Sequence, residues 1–413
     1  MLIFLSFYAL CLFLTFNKHS RHNERNYHSE VWADKAGFYV YLPATIKYNW
    51  KGNEMPPKIN EETGDGFTID SRGRILTKYT YGVALLQAPF YVCANWLLSG
   101  QKHDGFHRYH YRSINIAAVT YLLLALFFLF LFLRRKISDQ LSLITLGIMF
   151  FGTNLFHYAI DETGMSHVYS FFLCSFLLYA APSSAPEKLS LKLVIAFIAA
   201  CLLVLIRPTN IILVVFIFFM VQDYKVHWKK WFSYKYVLAL LICATIVFLP
   251  QLIYWKYAFG SFIHYSYQGE GFNFLSPKTL HFWFSTNNGA FLYTPIILLF
   301  ILSSLILAKK ENPKYHYNIL LFIAISFIFS SWWSWSFGCS MGSRVLIEFY
   351  PIFALPFAIC LNRIGYKSTK VNYLVFAVLL VLITHNLKLS YTFDECYFGN
   401  GDWDWSYYFG LLF

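Results

Sequence analysis

Asp34 lies in the run Ala33-Asp34-Lys35-Ala36-Gly37-Phe38-Tyr39-Val40-Tyr41-Leu42-Pro43-Ala44. An acid beside an aromatic-rich helix start serves either as a general base or as a helix N-cap, whose carboxylate accepts free backbone N–H groups. Lys78 stands in Thr77-Lys78-Tyr79-Thr80-Tyr81-Gly82. A lysine just before an apolar helix binds phosphate as a point charge, or snorkels to a membrane interface between Tyr anchors. Asp161, Glu162 and His167 close the segment Phe151 to His167, which joins two apolar runs. Two adjacent acids and a histidine suit acid/base or ligand roles, or form a tight polar turn. His157 and His167 do not have a zinc-ligand spacing. Arg207-Pro208-Thr209-Asn210 ends one apolar run and opens the next. A guanidinium there takes a phosphate, or pairs with one of the nearby acids. Ser331 to Arg344 gathers Trp332, Trp333 and Trp335 with Gly338, Gly342 and Arg344. Arg344 suits a phosphate, and the rings suit a sugar, a lipid tail or an interfacial aromatic belt.

The elements that must position these residues follow from composition. Of 413 residues, 58% are hydrophobic and 13% charged. A soluble domain carries about 25% charged residues, so this chain needs lipid around it. The net charge of +12 comes without a helix-turn-helix, finger or arginine-rich tract. It fits the basic bias of cytoplasmic loops and attraction to anionic lipid, and nucleic acid is not an expected partner. The expected fold class is all-α: a polytopic integral membrane protein with about 11 transmembrane helices and an outer juxtamembrane helical loop.

Candidate spans are 2–17, 112–133, 139–158, 166–181, 190–206, 210–222, 236–256, 291–308, 316–333, 346–362 and 371–387. Met1 to Phe16 lacks a basic n-region and an A-x-A site, and reads as a first membrane helix rather than a signal peptide. One set of loops carries Arg134, Arg135, Lys136, Lys188, Lys192, Lys225, Lys229, Lys230, Lys235, Lys309, Lys310, Lys314, Arg363, Lys367 and Lys370. The alternate loops and the tail carry only Arg207, Lys256, Lys278, Arg344 and Lys388. The first set is therefore cytoplasmic. The apolar stretch 82–98 contains Pro89. If it spans, there are twelve helices and loop 17–81 is cytoplasmic. If it is interfacial or re-entrant, there are eleven and that loop is outside, which is the expected case. Residues 1–413 then form a single membrane domain, with 17–111 as its first extracytoplasmic loop. The eight cysteines are scattered singly, and only Cys339 and Cys396 fall in outside loops. The spacing permits a disulfide between them without requiring one.

On this topology Asp34, Lys78, Asp161, Glu162, His167, Arg207, Glu270, Asn287, Asn288, Arg344 and Glu348 gather at the outer face. Ionisable groups at membrane depth tend to mark sites. The order of features is an acid in an aromatic loop, then Thr77-Lys78-Tyr79-x-x-Gly82, Gly105-Phe106 and a first cytoplasmic Arg-Arg. With Phe151-Gly152-Thr153-Asn154, Arg207-Pro208-x-Asn210, Ser285-Thr286-Asn287-Asn288-Gly289 and the Trp-rich Gly/Arg loop, it resembles the GT-C class of membrane glycosyltransferases. The nearest resemblance is to the protein O-mannosyltransferase and aminoarabinose-transferase group and its uncharacterised bacterial members. Lys35 stands where members near this group carry a second acid.

The resemblance implies a multi-pass protein of the bacterial inner membrane, with its active site facing the exterior. It implies transfer of a sugar from a polyprenyl-phosphate donor to a lipid or glycan acceptor. Asp34 would be the general base, and Lys78, Arg207 and Arg344 would bind the donor phosphate. Asp161, Glu162 and His167 lie where relatives keep a second acid. No metal is required by the sequence, although acid clusters of this size can bind a divalent ion. A transporter or flippase for a lipid-linked glycan is the alternative of another class, and would show inverted repeats and polar residues along a path through the bilayer. A non-catalytic membrane subunit is a third.

Overall fold

The computed structural model describes residues 2–21, 25–100, 103–181, 188–221, 231–365, 369–394 and 396–413. Lys225, Lys229, Lys230 and Lys367, which enter the charge bias, lie outside the described residues. Among the described residues the chain is all-α apart from one two-stranded hairpin and an isolated bridge between Phe272 and Trp332. Each apolar run read from the sequence is helical over most of its described residues. Arg108–Leu133, Tyr234–Phe259, Arg344–Gly365 and Thr369–Thr392 are long and apolar enough to cross a membrane. The chain divides into two compact units: residues 1–125 with 159–268, and residues 126–158 with 269–413.

The first unit contains α1 (Leu2–His19), the short α2 (Asp34–Tyr39) and α3 (Tyr41–Ile46), α4 (Gly82–Leu97) and the first part of α5 (Arg108–Leu133). The hairpin pairs β1 (Thr68–Ile69) with β2 (Ile75–Leu76). Asp70 makes the turn, its carboxylate accepting the N–H groups of Arg72 at 2.9 Å and Arg74 at 2.8 Å. Those bonds, that of Arg74 foremost, hold the Asp70 carboxyl below its ordinary pKa. The unit's core is aromatic. Tyr39 meets Tyr91, Phe106 and Tyr111 edge-on at 5.7–5.9 Å, a favoured ring geometry. Tyr41 packs likewise on Tyr254 at 4.9 Å.

After α6 (Asp139–Gly152) and α7 (Leu155–Ile160), which lie wholly or mostly in the second unit, the later chain of the first unit adds α8 (His167–Ala180), α9 (Leu191–Ile206), α10 (Ile211–Val221) and α11 (Tyr234–Phe259). Ser190 caps α9 by accepting the Leu193 N–H, as a favoured N-cap residue does. Pro208 ends the same helix and starts a 3₁₀ turn. Gly260, at φ 84°, closes α11 in the left-handed conformation that glycine adopts without strain.

The second unit contains α6 (Asp139–Gly152), most of α7 (Leu155–Ile160), α12 (Thr279–Phe284), α13 (Ile296–Lys310), α14 (His316–Ser330), α15 (Tyr350–Gly365), α16 (Thr369–Thr392) and α17 (Trp405–Leu412). The expected span 139–158 is broken after Gly152. Thr153 causes the break: its hydroxyl donates to the Met149 carbonyl at 2.7 Å and accepts the Leu155 N–H at 3.2 Å. That local turn competes with the helix ladder. The carbonyls of Phe151 and Thr153 are taken by the Asn386 amide of α16 at 3.0 and 2.8 Å. The run 346–362 likewise differs from expectation, with a 3₁₀ segment Arg344–Phe349 before α15.

Faces of α11 and α16 carry large apolar side chains that stay exposed among the described residues. Leu241 is 59% exposed, Ile246 61%, Phe376 65% and Val381 65%. Contiguous apolar faces of this kind suit lipid rather than water. Removing the Asn386 amide would strand two carbonyls at the break after α6. Asn386→Leu is expected to lower stability by about 1–3 kcal/mol, read as a lower melting midpoint of the detergent-solubilised protein. An unchanged midpoint would show that other groups take over those carbonyls.

Candidate functional site in the first unit

Asp34 is the first residue of α2 and does not cap it. The N-cap position is Ala33, with no side-chain capping bond. Ala33 is held at φ 47°, ψ −120°, a conformation that a residue with a Cβ adopts only when its surroundings impose it. The surroundings are visible. The Ala33 N–H donates to the Thr63 carbonyl at 2.8 Å, and its carbonyl accepts the Gly37 N–H at 3.1 Å. Gly66 presses on the same carbonyl so closely that a Cβ there would sit 1.8 Å from it. A Cβ on Gly37 would sit 2.2 Å from the Tyr79 ring. Two glycines thus let the backbone and an aromatic ring approach the start of α2. The Tyr79 hydroxyl donates to Asp34 Oδ1 as a result.

Lys78 is the next residue back. Its ammonium lies 5.6 Å from the Tyr79 ring centre and 5.4 Å from that of Tyr267, within cation–π range. The Lys78 carbonyl accepts the Ser266 hydroxyl at 2.7 Å, which fixes the backbone here.

The acids of the 161–167 turn are ion-paired. Lys35, 4% exposed, meets Glu162 at 3.0 Å. Lys18 of α1 meets Asp161 at 3.6 Å. Gly164 makes the first contact feasible: a Cβ there would stand 2.2 Å from the Glu30 carbonyl oxygen and 2.9 Å from Lys35 Cβ. His167 opens α8 and is buried. Its Nδ1 lies 3.4 Å from Arg207 Nη1. Arg207 itself is the extended residue that ends α9. The end of α9 adjoins the Lys78 segment, because the Thr80 hydroxyl donates to the Leu205 carbonyl at 2.6 Å and Gly82 lies against Ile206.

Asp34, Lys35, Lys78, Asp161, Glu162, His167 and Arg207 are thereby linked through neighbouring residues within the first unit. A half-buried carboxylate is suited to take a proton, and Lys78 and Arg207 are of the residue types that hold a phosphate. Among the described residues, no three of His, Cys, Asp and Glu are placed to hold a metal ion.

Glu30 is an acid that sequence reasoning missed. It is buried, and its Oε1 accepts from Asn115 at 2.6 Å and Arg112 at 3.3 Å, both on α5. The Thr163 hydroxyl donates to Asn115 Oδ1 at 2.7 Å, which ties the same network to the acidic turn. From the other side, the Tyr39 hydroxyl donates to the Gly105 carbonyl and Tyr48 to that of Asp104. Burial pushes Tyr48 up to about 12, with Asp104 adding to it, so this donor keeps its proton.

Arg344, Glu348, Asn287, Asn288 and Glu270 belong to the second unit. The Trp-rich loop before Arg344 is held by Asn288, which adopts φ 66°. Its amide donates to the Ser336 and Gly338 carbonyls at 3.1 Å each and accepts the Gly342 N–H at 3.3 Å. Asn154 donates to the Met341 carbonyl at 3.2 Å and accepts the Tyr350 hydroxyl at 2.7 Å. Cys339 of this loop is disulfide-bonded to Cys396 of the tail. The pairing that the sequence permitted is therefore present.

Breaking a buried ion pair from one side leaves the other charge stranded. Lys35→Met is expected to cost about 3–5 kcal/mol of stability, and the double change Lys35→Met with Glu162→Gln to recover much of it. Thermal melts of the three proteins check this, and additive losses would refute the coupling. A search of family models and of curated proteins finds no match to the chain.

Proposed function

We propose that the chain is an inverting glycosyltransferase that moves a sugar from a polyprenyl-phosphate carrier to a lipid or glycan acceptor on the extracytoplasmic face of a bacterial plasma membrane. The observation that carries this reading is the join of Asp34 to Tyr79, the residue after Lys78, with Arg207 at the neighbouring helix end. A base and two phosphate-binding cations within one unit are what such a transfer needs.

Asp34 takes the proton of the acceptor hydroxyl. The freed oxygen attacks the anomeric carbon on the face opposite the phosphate. The carbon–oxygen bond to the phosphate breaks, its electron pair leaves with the phosphate, and Lys78 and Arg207 offset the charge as it develops. Asp161, Glu162 and His167 orient Lys18, Lys35 and Arg207.

Two observations support the orientation. The basic residues of the short loops concentrate on one side, as the positive-inside rule requires of the cytoplasm. The Cys339–Cys396 disulfide joins two segments that the same rule puts outside, and disulfides persist in oxidising compartments. In this reading eleven helices cross the bilayer and α4, which contains Pro89, lies along the outer surface.

The test has two parts. A single cysteine at Ser71, an exposed position in the hairpin turn, is placed in a background without the native free cysteines and probed with an impermeant thiol reagent on intact cells. Labelling from outside is expected; labelling only after permeabilisation would put Asp34 on the cytoplasmic face and end the proposal. Membranes holding the wild type are then screened with radiolabelled polyprenyl-phosphate sugars. Asp34→Asn is expected to lose about 10²–10⁴ in rate, while Lys78→Ala and Arg207→Ala raise the KM for the donor. Full activity in Asp34→Asn would remove the base from the mechanism.

A further inference from the structure

In the second unit, three aromatic side chains and an acid meet. His281 of α12 lies with its ring centre 5.5 Å from Trp335 and 5.1 Å from Trp403. Asp402 precedes Trp403 and faces the same histidine, with Oδ2 3.9 Å from His281 Nε2. Asp402 Oδ1 accepts from the Asn287 amide at 3.1 Å.

The backbone of Asp402 is fixed independently of its carboxylate. The Ser285 hydroxyl donates to the Asp402 carbonyl, and Thr286 does so at 3.2 Å. The loop that carries Trp335 is fixed by Asn288 and tied to the tail by the Cys339–Cys396 disulfide. The group is therefore preorganised and partly open to solvent, with Trp403 43% exposed.

We propose that Trp335, His281, Trp403 and Asp402, with Asn287, form a saccharide-binding subsite. The C–H face of a pyranose packs on the electron-rich face of an indole. Its hydroxyls donate to Asp402 Oδ2, an acceptor-only group standing further from His281 than a hydrogen bond reaches. The Asn287 amide, already oriented by its bond to Asp402, presents an acceptor oxygen beside them.

The chemistry argues against two other occupants. An acyl chain would bury the Asp402 carboxylate in hydrocarbon at high cost. A quaternary ammonium needs a box of several open ring faces, whereas of these two indoles Trp403 alone is exposed. The subsite holds for any saccharide-bearing molecule, whether a free glycan or a lipid-linked one, and does not rest on the transfer reading.

The test uses the full chain in lipid nanodiscs, which avoids glycosidic detergent. Saturation-transfer difference NMR is recorded with the methyl glycosides of glucose, mannose, galactose and N-acetylglucosamine, and with choline. Transfer to the ring protons of at least one glycoside is expected. It should fall to background in Asp402→Asn and in Trp403→Ala and persist in Trp405→Ala, which removes an exposed indole of the same tail. If Trp403→Ala does not fold, as judged by its melt, Trp335→Phe and Asp402→Asn decide the matter. No glycoside signal in the wild type, a signal from choline alone, or a glycoside signal that survives Asp402→Asn would each overturn the proposal. The readout is binding, so failure of sugar transfer elsewhere in the molecule leaves it intact.

Discussion

An ammonium taken out of water costs several kcal/mol unless a counter-charge and hydrogen bonds replace its hydration. Lys35, 4% exposed, meets that cost through Glu162, and much of the first unit is arranged around the requirement. Gly164 has no side chain because the backbone before Lys35 and the side chain of Lys35 itself occupy that space. Ala33 is forced to positive φ beside the glycines at 37 and 66. Glu30, three residues earlier, secures the same stretch to α5 through Arg112 and Asn115. The position of Asp34 is thus set from both flanks by buried charges, with the Tyr79 hydroxyl on its carboxylate.

The second unit solves the equivalent problem for backbone rather than charge. Where helices break, amide side chains replace the missing ladder. Asn386 satisfies the end of α6, while Asn154 and Asn288 hold the loop from Ser336 to Gly342. Asparagine suits this because one side chain offers both a donor and an acceptor, and because it tolerates the left-handed backbone that Asn288 adopts. The loop is rigid at its base although its Trp and Gly content alone would suit a flexible segment.

The helical segments were legible in the sequence because apolar runs of membrane length have few other uses. Their interruptions were not. Gly152-Thr153-Asn154 lies inside a run that reads as one span, and only the Thr153 hydroxyl bonds, which depend on the folded backbone, show where it turns. Asp34, Lys78, Asp161, Glu162, His167 and Arg207 were legible as unusual residues between apolar runs, and the structure links them within one unit. Their partners were not legible. Lys35 looked like a departure from a paired acid, whereas it is the counter-charge of Glu162. Glu30 carried no signal at all, since Ser29-Glu30-Val31 reads as an ordinary polar loop and its partners lie more than 80 residues away. Cys339 and Cys396 could be paired in outline, because compartment and not spacing limited the choice.

The Lys35–Glu162 pair spans 127 positions of sequence. Synthesis delivers the ammonium early and its carboxylate only after α5, α6 and α7 have been made. Through that interval Lys35 has to remain hydrated, since a membrane or protein interior would impose the full cost of an unpaired charge. The stretch around α2 therefore cannot settle until α7 has been placed. Asp34, which sits beside Lys35, takes up its final surroundings no sooner, so the candidate site is completed during assembly rather than with its first loop.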